Sequence, residues 1–469
     1  MSLLSSQHRH VALALAEAGS VLRAGQYRTA VTRAAPAQKQ SQSIGGVKRG
    51  RKEKWEKKMN QERAQRNRDI PKFTRYPESK LQIPKTKERP AILPEVFQPG
   101  SGHSLDLPLF GPSTLTAKSV GQATSFGTTQ TNAAKVFGLP NKMHFEYRIL
   151  STPCSVIRDV TLKAIHTLDK AKGSSSKDHR IVLHGRAGSG KSFLLHQAVQ
   201  YAQAQGWVVL YIPRAVTLVN STNSYAYDIR TQTYLQPRAS YLTLDKLYKA
   251  NSALLSQLTL SRELVTEKLN IPAGTTLAEV AQAGIKDKSF TSGPVVLETV
   301  LKELETQTKF PVLVAVDDFQ ALFHNSAYKD PFFHAIRPHH LSLPRTFLEF
   351  ASGQRTLANG VFMGALTESD TAYAVPLELK DALNLESRHP VSPYDKRDQV
   401  KLGYTEGLKG LKVPERMSTN EMAGLFSVWK DDMALTTDKY DELFMSKYVE
   451  SDGNPRDFVW KGLLSTLSP

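Results

Sequence analysis

The sequence predicts an α/β fold in which a parallel sheet carries helices on both faces. Three observations point to it. Four short apolar runs, at 180–184, 207–212, 310–316 and 361–366, lack the alternation of a half-exposed strand and read as strands covered on both sides. Helical stretches separate them, so strand and helix alternate along the chain. The first run leads straight into Gly185-Arg186-Ala187-Gly188-Ser189-Gly190-Lys191-Ser192, which matches the phosphate-loop pattern G-x-x-x-x-G-K-[ST] at every fixed position.

Composition narrows the possibilities further. The chain has 469 residues, 40% hydrophobic and 22% charged, enough for roughly two to four folded units. No run approaches the ~20 apolar residues of a membrane helix, so no membrane span is expected. A single cysteine, Cys154, excludes a disulfide scaffold and a Cys-based zinc site, and reads as a small buried residue. His334, His339 and His340 share a Pro-containing loop without acids or cysteines at ligand spacing, so no metal site is expected there.

The net charge of +17 is unevenly placed: residues 1–90 hold 21 Lys/Arg against seven Asp/Glu, and the remainder hold 40 against 37. The basic segment therefore reads as a targeting signal, a nucleic-acid arm, or both. Over about residues 1–45 the chain is Arg-containing, Ser-rich and carries Glu17 as its one acid, the composition of a mitochondrial transit peptide. Residues 46–139 form a basic, Pro/Gly-rich extended segment. Lys48 to Arg68 favours a solvated helix that Pro71 stops, and 100–150 reads as a loop-rich lead-in. Regular structure is expected from about Ser155, with helical spacing over 155–171.

The core is expected to span 140–393. After the strand at 180–184 comes a helix at 191–205, then the strand at 207–212, ended by Pro213. A Tyr-rich insertion (Tyr225, Tyr227, Tyr234, Tyr241) favours local packing over RNA stacking, and 241–307 reads as mostly helical. Pro390-Val391-Ser392 is the expected fifth strand. Residues 394–469 read as a C-terminal helical lid without a strand.

The chemistry concentrates in the phosphate loop and two strand ends. Loop glycines let several backbone N–H groups converge on one phosphate, and the following helix adds its N-terminal partial charge. Gly185, Arg186, Ala187, Gly188, Ser189, Gly190, Lys191, Ser192 and Phe193 are the nucleotide-binding candidates. Lys191 reaches the β- and γ-phosphates, and the Ser192 hydroxyl ligates Mg²⁺. The strand at 312–316 ends in Asp317-Asp318 and is expected beside the loop strand, with Asp317 in the Mg²⁺ shell. Asp318 either polarises a water or caps the next turn. Thr367, at the tip of the fourth strand, is a γ-phosphate sensor candidate. Arg456, in Gly453-Asn454-Pro455-Arg456-Asp457, is a lid arginine or the partner of a local ion pair.

A basic leader, a loop of the form G-R-x-G-S-G-K-S, the Tyr-rich insertion with Tyr234-Leu235-Gln236-Pro237, a strand ending in Asp317, and Gly453-Asn454-Pro455-Arg456 occur here in that order. Over roughly 140–469 this resembles the death-associated protein 3 family of the mitochondrial small ribosomal subunit. The resemblance implies an AAA-like P-loop fold. It also implies a structural place in the subunit head, in the mitochondrial matrix, among small-subunit proteins and rRNA and near the face that meets the large subunit. It implies a bound purine nucleoside di- or triphosphate, GTP/GDP or ATP, with Mg²⁺ and slow hydrolysis at most. No Asn-Lys-x-Asp guanine motif is present, since Asn141-Lys142-Met143-His144 lacks the final Asp, so the base stays open. Two alternatives also stay open: an active AAA-like or signalling ATPase, for which Arg337 and Arg345 are the arginine-finger candidates, and an origin-recognition-type DNA-binding ATPase.

Overall fold

A computed structural model describes residues 57–61 and 105–467, apart from 128, 267, 288, 386–391, 393 and 436–438. The chain divides into two units, 1–89 and 90–469. Of the first unit, residues 57–61 are described and helical, within the stretch expected to be a solvated helix. The leader at 1–45 and the basic segment up to residue 56 lie outside the described residues.

In the second unit, regular structure begins earlier than Ser155. Strand β1 (Ala123–Ser125) pairs antiparallel with β2 (Cys154–Val156), and helices α1 (Ala133–Phe137) and α2 (Asn141–Ile149) come between them. The lead-in is therefore not simply loop. Its polar residues are fixed by long-range bonds, such as the Asn132 carboxamide with that of Gln200 at 2.8 and 2.9 Å. Helix α3 (Asp159–Ala171) leads to β3 (Arg180–His184), the phosphate loop, α4 (Lys191–Ala204) and β4 (Val208–Ile212). The Tyr-rich insertion forms the hairpin of β5 (Ala226–Asp228) and β6 (Thr233–Leu235). Its rings pack on one another, Tyr225 lying 5.9 Å from Tyr234 and 5.1 Å from Tyr328 between centroids.

Helix α5 (Pro237–Leu255) follows, then a short hairpin of β7 (Leu264–Val265) and β8 (Asn270–Ile271), then α6 (Leu277–Lys286) and α7 (Gly293–Thr306). The hairpin interrupts the helical stretch expected over 241–307. The chain continues through β9 (Val312–Val316), α8 (Ser342–Ser352), β10 (Gly360–Ala365), α9 (Leu377–Ala382) and α10 (Gln399–Thr405) to β11 (Lys409–Lys412). It ends with α11 (Thr419–Asp431), α12 (Tyr440–Glu450) and α13 (Pro455–Asp457), which runs on into a wider helical turn over Phe458–Leu463.

The central sheet is parallel and five-stranded, in the order β11-β3-β10-β9-β4. Every residue of β4, β9 and β10 is buried, as expected for strands covered on both faces. Two expectations are corrected. The fifth strand is β11, inside the region expected to be all helical. Pro390 and Val391 lie outside the described residues. Lys409-Gly410-Leu411-Lys412 carries no apolar run and is largely exposed, so its strand form comes from pairing with β3. The acid-bearing β9 is also not beside the loop strand, because β10 separates them.

At the other edge, β4 would leave backbone groups unpaired. The Asn251 carboxamide accepts from the Val209 N–H at 2.8 Å and donates to its carbonyl at 2.9 Å, replacing a strand neighbour. The α5 backbone departs from helical angles at Asn251.

The strand order positions the site. From β3 the chain crosses β10 and β9 to reach β4 and returns, while the last crossover goes to the far side of β3. Connections leaving β3 and β10 thus diverge, and the crevice at their carboxyl ends is where an open parallel sheet receives ligands. A second apolar cluster, including Leu150, Val156, Met422, Phe426, Trp429 and Phe458, packs α11 and the last turns against β2.

Candidate nucleotide-binding site

The crevice holds a cavity of about 400 Å³, within the size range of small-molecule sites. Its lining includes residues 187–193 of the loop, Asp317, Asp318, Thr367 and Arg456. The tertiary structure therefore brings the sequence-predicted candidates together, with Gly185 and Arg186 at the base of the same loop. Gly185 and Gly188 take φ of +146° and +87°. A Cβ at Gly185 would stand 2.6 Å from the Val413 carbonyl oxygen, and one at Gly188 would collide with the Asn454 carboxamide. Side chains are excluded at both positions, and backbone lines the cradle.

Lys191 is 6% exposed, and its ammonium donates to the Gly185 carbonyl and to the Arg186 carbonyl at 2.9 Å. Burial pulls its pKa down to about 8, against the opposing pull of Glu368 and Asp317. The Ser189 hydroxyl is buried without a partner, an available donor inside the loop. Phe193 sets its ring edge-on to Tyr147, with centroids 6.0 Å apart.

Asp317 is 1% exposed. Its carboxylate accepts from the Ser192 hydroxyl and from the Asp318 backbone N–H at 2.9 Å. This brings together the two metal-ligand candidates although their strands are not adjacent. The reason is α4, which packs on β3, β10, β9 and β4 as it crosses the sheet. Burial first, and then the Asp318 charge, push Asp317 up to about 7. Asp318 has φ of +55°, and burial raises its pKa as well. The Thr367 hydroxyl hydrogen-bonds the Asp318 carboxylate, and Arg214 lies close enough to favour its charge. The Thr367 backbone is held in turn by the buried Gln320 carboxamide, which donates to its carbonyl at 2.7 Å and accepts from its N–H at 3.0 Å.

The C-terminal segment grips the loop. The Asn454 carboxamide donates to the Ala187 carbonyl at 3.0 Å and accepts from the N–H groups of Arg456 and Asp457, capping α13. The Arg456 N–H also donates to the Gly188 carbonyl at 3.3 Å. The Arg456 side chain lines the cavity and lies 3.8 Å from Asp457, so both of its expected roles have a geometric basis. From the other side, the buried Arg158 donates to the Ser189 carbonyl at 2.7 Å and pairs with Glu421 at 3.6 Å. Glu421 also closes the capping box of α11 on Ser418 and accepts from the Asp159 N–H at 3.0 Å. One carboxylate thus joins the starts of α3 and α11 beneath the loop.

Residues 155–460 match the family described as "Mitochondrial ribosomal death-associated protein 3". The chain belongs to that family. It is 27% identical over 416 residues to the small ribosomal subunit protein mS29 of Schizosaccharomyces pombe, covering 85% of this chain and 84% of that protein. To mS29 of Neurospora crassa it is 25% identical over 316 residues, covering 65% and 66% respectively. To mS29 of Bos taurus it is 29% identical over 229 residues, covering 48% and 57%.

The matched span contains the whole loop, both strand-end acids, Thr367 and Arg456. Arg158, Gln320, Glu421 and Asn454 hold the site together but were not singled out as site residues. Asn454 alone had a signal, its place in the Gly-Asn-Pro-Arg run. The other three are single polar residues whose partners lie far off in the sequence. Arg337 and Arg345 pair locally with Asp398 at 3.7 Å and Glu349 at 2.7 Å. Cys154 is buried, and burial pushes its thiol up to about 12. No metal-binding cluster of His, Cys, Asp and Glu occurs among the described residues, and none of their helices is long and apolar enough to cross a membrane.

Proposed function

We propose that this chain is a nucleotide-binding structural component of the small subunit of the mitochondrial ribosome, supporting translation in the matrix. The observation that carries this reading is the phosphate cradle itself, gripped from both sides by Arg158 and Asn454, within a chain of this family. The named relatives are small ribosomal subunit proteins, and the Schizosaccharomyces pombe one matches 85% of the chain. The fold is read as the AAA-like branch of P-loop proteins, with the helices that follow β11 as a lid. The leader to about residue 45 directs import. The remaining basic segment lies along rRNA phosphates or neighbouring small-subunit proteins in the head, near the large subunit.

The ligand is a purine nucleoside di- or triphosphate, GTP/GDP or ATP, with Mg²⁺. When bound, it supplies anionic oxygens and a divalent charge that unite the loop with the carboxylates. Backbone N–H groups of 187–192 and the Ser189 hydroxyl donate to phosphate. Lys191 would turn its ammonium from the Gly185 and Arg186 carbonyls to phosphate oxygens, and Ser192 and Asp317 would hold the metal. Asp318 already accepts from Thr367 and is one methylene shorter than a glutamate, which supports slow turnover at most.

The test is a sucrose gradient of mitochondrial lysate from cells carrying a tagged copy, with nucleotide extracted from the peak. Co-migration with the small subunit at one nucleotide per chain is the expected result. Lys191→Ala is expected to weaken nucleotide retention by at least about tenfold, the worth of a charge-assisted hydrogen bond. Migration as a free ring with turnover would favour the signalling ATPase, and recovery from nuclei the origin-recognition type.

A further inference from the structure

Two neighbouring turns carry apolar side chains into solvent. The first is the β5–β6 hairpin. Tyr225 and Tyr227 alternate along β5 and share a face, each ring lying against Tyr234, and Ile229 follows at the turn. Tyr225, Tyr227 and Ile229 are all exposed. The second turn lies within 326–336, drawn in by a bridge between Lys329 and Ala335. Phe332 and Phe333 stand at its tip, 79% and 81% exposed. The Tyr225 hydroxyl donates to the Lys329 carbonyl at 2.5 Å and its ring packs on Tyr328, so the two turns are joined. None of these residues lines the nucleotide cavity.

The second turn is built to hold its rings outward. The Asp330 carboxylate accepts from the N–H groups of Phe332 and His334 at 2.9 and 2.8 Å, and the Asp330 carbonyl accepts from the Phe333 N–H at 3.0 Å. Phe333 takes φ of +65°, a left-handed backbone that an aromatic residue rarely adopts. A turn that strains its backbone to present two phenyl rings to water gains no burial from them, and such strain and exposure mark interaction sites. The exposed charges beside the rings are cationic, Arg230 at one turn and Lys329 at the other. The acids of both turns are taken up locally. Asp228 accepts from the Arg230 N–H at 3.1 Å and the Thr231 hydroxyl at 2.9 Å, and lies 3.8 Å from the Arg230 guanidinium, whose side chain is still 86% exposed. Asp330 is bound to its own loop and lies 3.5 Å from the His334 ring.

We propose that these two turns form a binding surface for unpaired RNA, with bases stacking on Phe332, Phe333 and Tyr227 while Arg230 and Lys329 meet the phosphates. Every base has a flat face, so aromatic rings hold unpaired bases of any sequence, and cations beside the rings follow the backbone. A duplex keeps its bases stacked on one another and offers no such face. Charge favours this occupant over an apolar protein groove. A dry groove would leave the Arg230 and Lys329 charges desolvated and unpaired, whereas the phosphates of a strand neutralise them. A mitochondrial ribosomal chain meets such strands in the loops and bulges of rRNA. The Tyr-rich insertion thus divides its rings: Tyr225 and Tyr234 pack and stiffen the hairpin, and Tyr227 lies open for a base.

The experiment titrates the purified full chain into a fluorescent single-stranded RNA of mixed sequence, about twelve nucleotides long, and into the same RNA as a duplex, across rising salt. The double variant Phe332→Ala, Phe333→Ala is expected to bind the single strand at least about tenfold more weakly than the wild type, with an unchanged salt slope, because stacking releases no counterions. Its duplex affinity is expected to stay at the wild-type value. Lys329→Ala is expected to lower the single-strand salt slope by roughly 0.7. The basic N-terminal segment is common to all these proteins and cancels in each comparison. The substituted side chains are exposed, so thermal midpoints are expected to match the wild type. In intact small subunits carrying the wild-type chain, ultraviolet cross-linking is expected to leave nucleotide adducts on peptides spanning 225–234 and 328–337. Equal single-strand affinity of the wild type and the double variant overturns the assignment, as does an equal loss for strand and duplex. Intact subunits without nucleotide adducts on these peptides also overturn it, and leave the rings as anchors for a protein partner. None of these outcomes bears on nucleotide binding at the phosphate loop.

Discussion

Lys191 and Asp317 are opposite charges buried in one crevice, and burial shifts each toward its neutral form. The Asp317 carboxyl titrates near 7 in the fold against an ordinary value of 3.8. The folded state thus holds the proton more tightly than the unfolded chain. The stability this contributes is present in full below about pH 4 and is lost as pH rises through 7. Asp317→Asn removes the titration. Without added nucleotide, the variant is expected to gain stability relative to the wild type between pH 5 and 8, by roughly 1–3 kcal/mol. Parallel denaturant melts across that range measure it, and a pH-independent difference would count against a raised Asp317. Glu146 also titrates near 7, but it is common to both proteins and cancels. Nucleotide affinity in Asp317→Asn is also expected to lose its dependence on Mg²⁺.

At the scale of elements, the start of α13 does two tasks with one carboxamide. Asn454 caps the helix through its oxygen and holds the Ala187 carbonyl through its nitrogen. Asn454→Ala removes both and is expected to cost about 1–2 kcal/mol, together with a loss of nucleotide affinity. Asn454→Asp keeps the acceptor for the cap bonds but has no donor for Ala187. Because Asn454 is buried, the carboxylate then faces the Ala187 carbonyl without a donor, and both the thermal midpoint and nucleotide affinity are expected to fall. If Asn454→Asp binds nucleotide normally, the grip on the loop has no part in binding. The same scale explains an error of sequence reading. Strand β11 is exposed, polar and four residues long, and pairing with β3 makes it a strand. Apolar patterning finds β9 and β10 because burial selects their side chains, and it has nothing to find in β11.

At the scale of the folded unit, the cavity is lined both by α2, early in the sequence, and by Trp460, near its end, where the central sheet meets the second apolar cluster. A ligand that binds the native state alone stabilises it by about 2.7 kcal/mol at a hundredfold excess over Kd. That stabilisation is expected to reach both clusters. Hydrogen exchange with Mg²⁺-nucleotide should slow at amides of 180–192 and also at 417–429 and 458–463. Slowing confined to the loop would mean that the C-terminal elements close the site without sharing its stability.

The sequence alone carries the local features. Eight contiguous residues specify the phosphate loop, because their own glycines and the following helix create its geometry. Uniform apolar runs mark four of the five sheet strands, because burial on both faces leaves no room for alternation. The charge asymmetry and the motif order were enough to suggest the family that residues 155–460 match. Tertiary structure decides what those features meet. Arg158 reaches Glu421, Asn454 reaches Ala187, and Glu146 reaches Trp460, across 263, 267 and 314 positions of sequence. Each contact depends on one polar side chain arriving at one place, and a lone residue leaves no periodicity to read. The separation of the acid strand from the loop strand by β10 is of the same kind. Connections permit several strand orders, and the crossing of α4 over the sheet brings Ser192 to Asp317 in the order that forms.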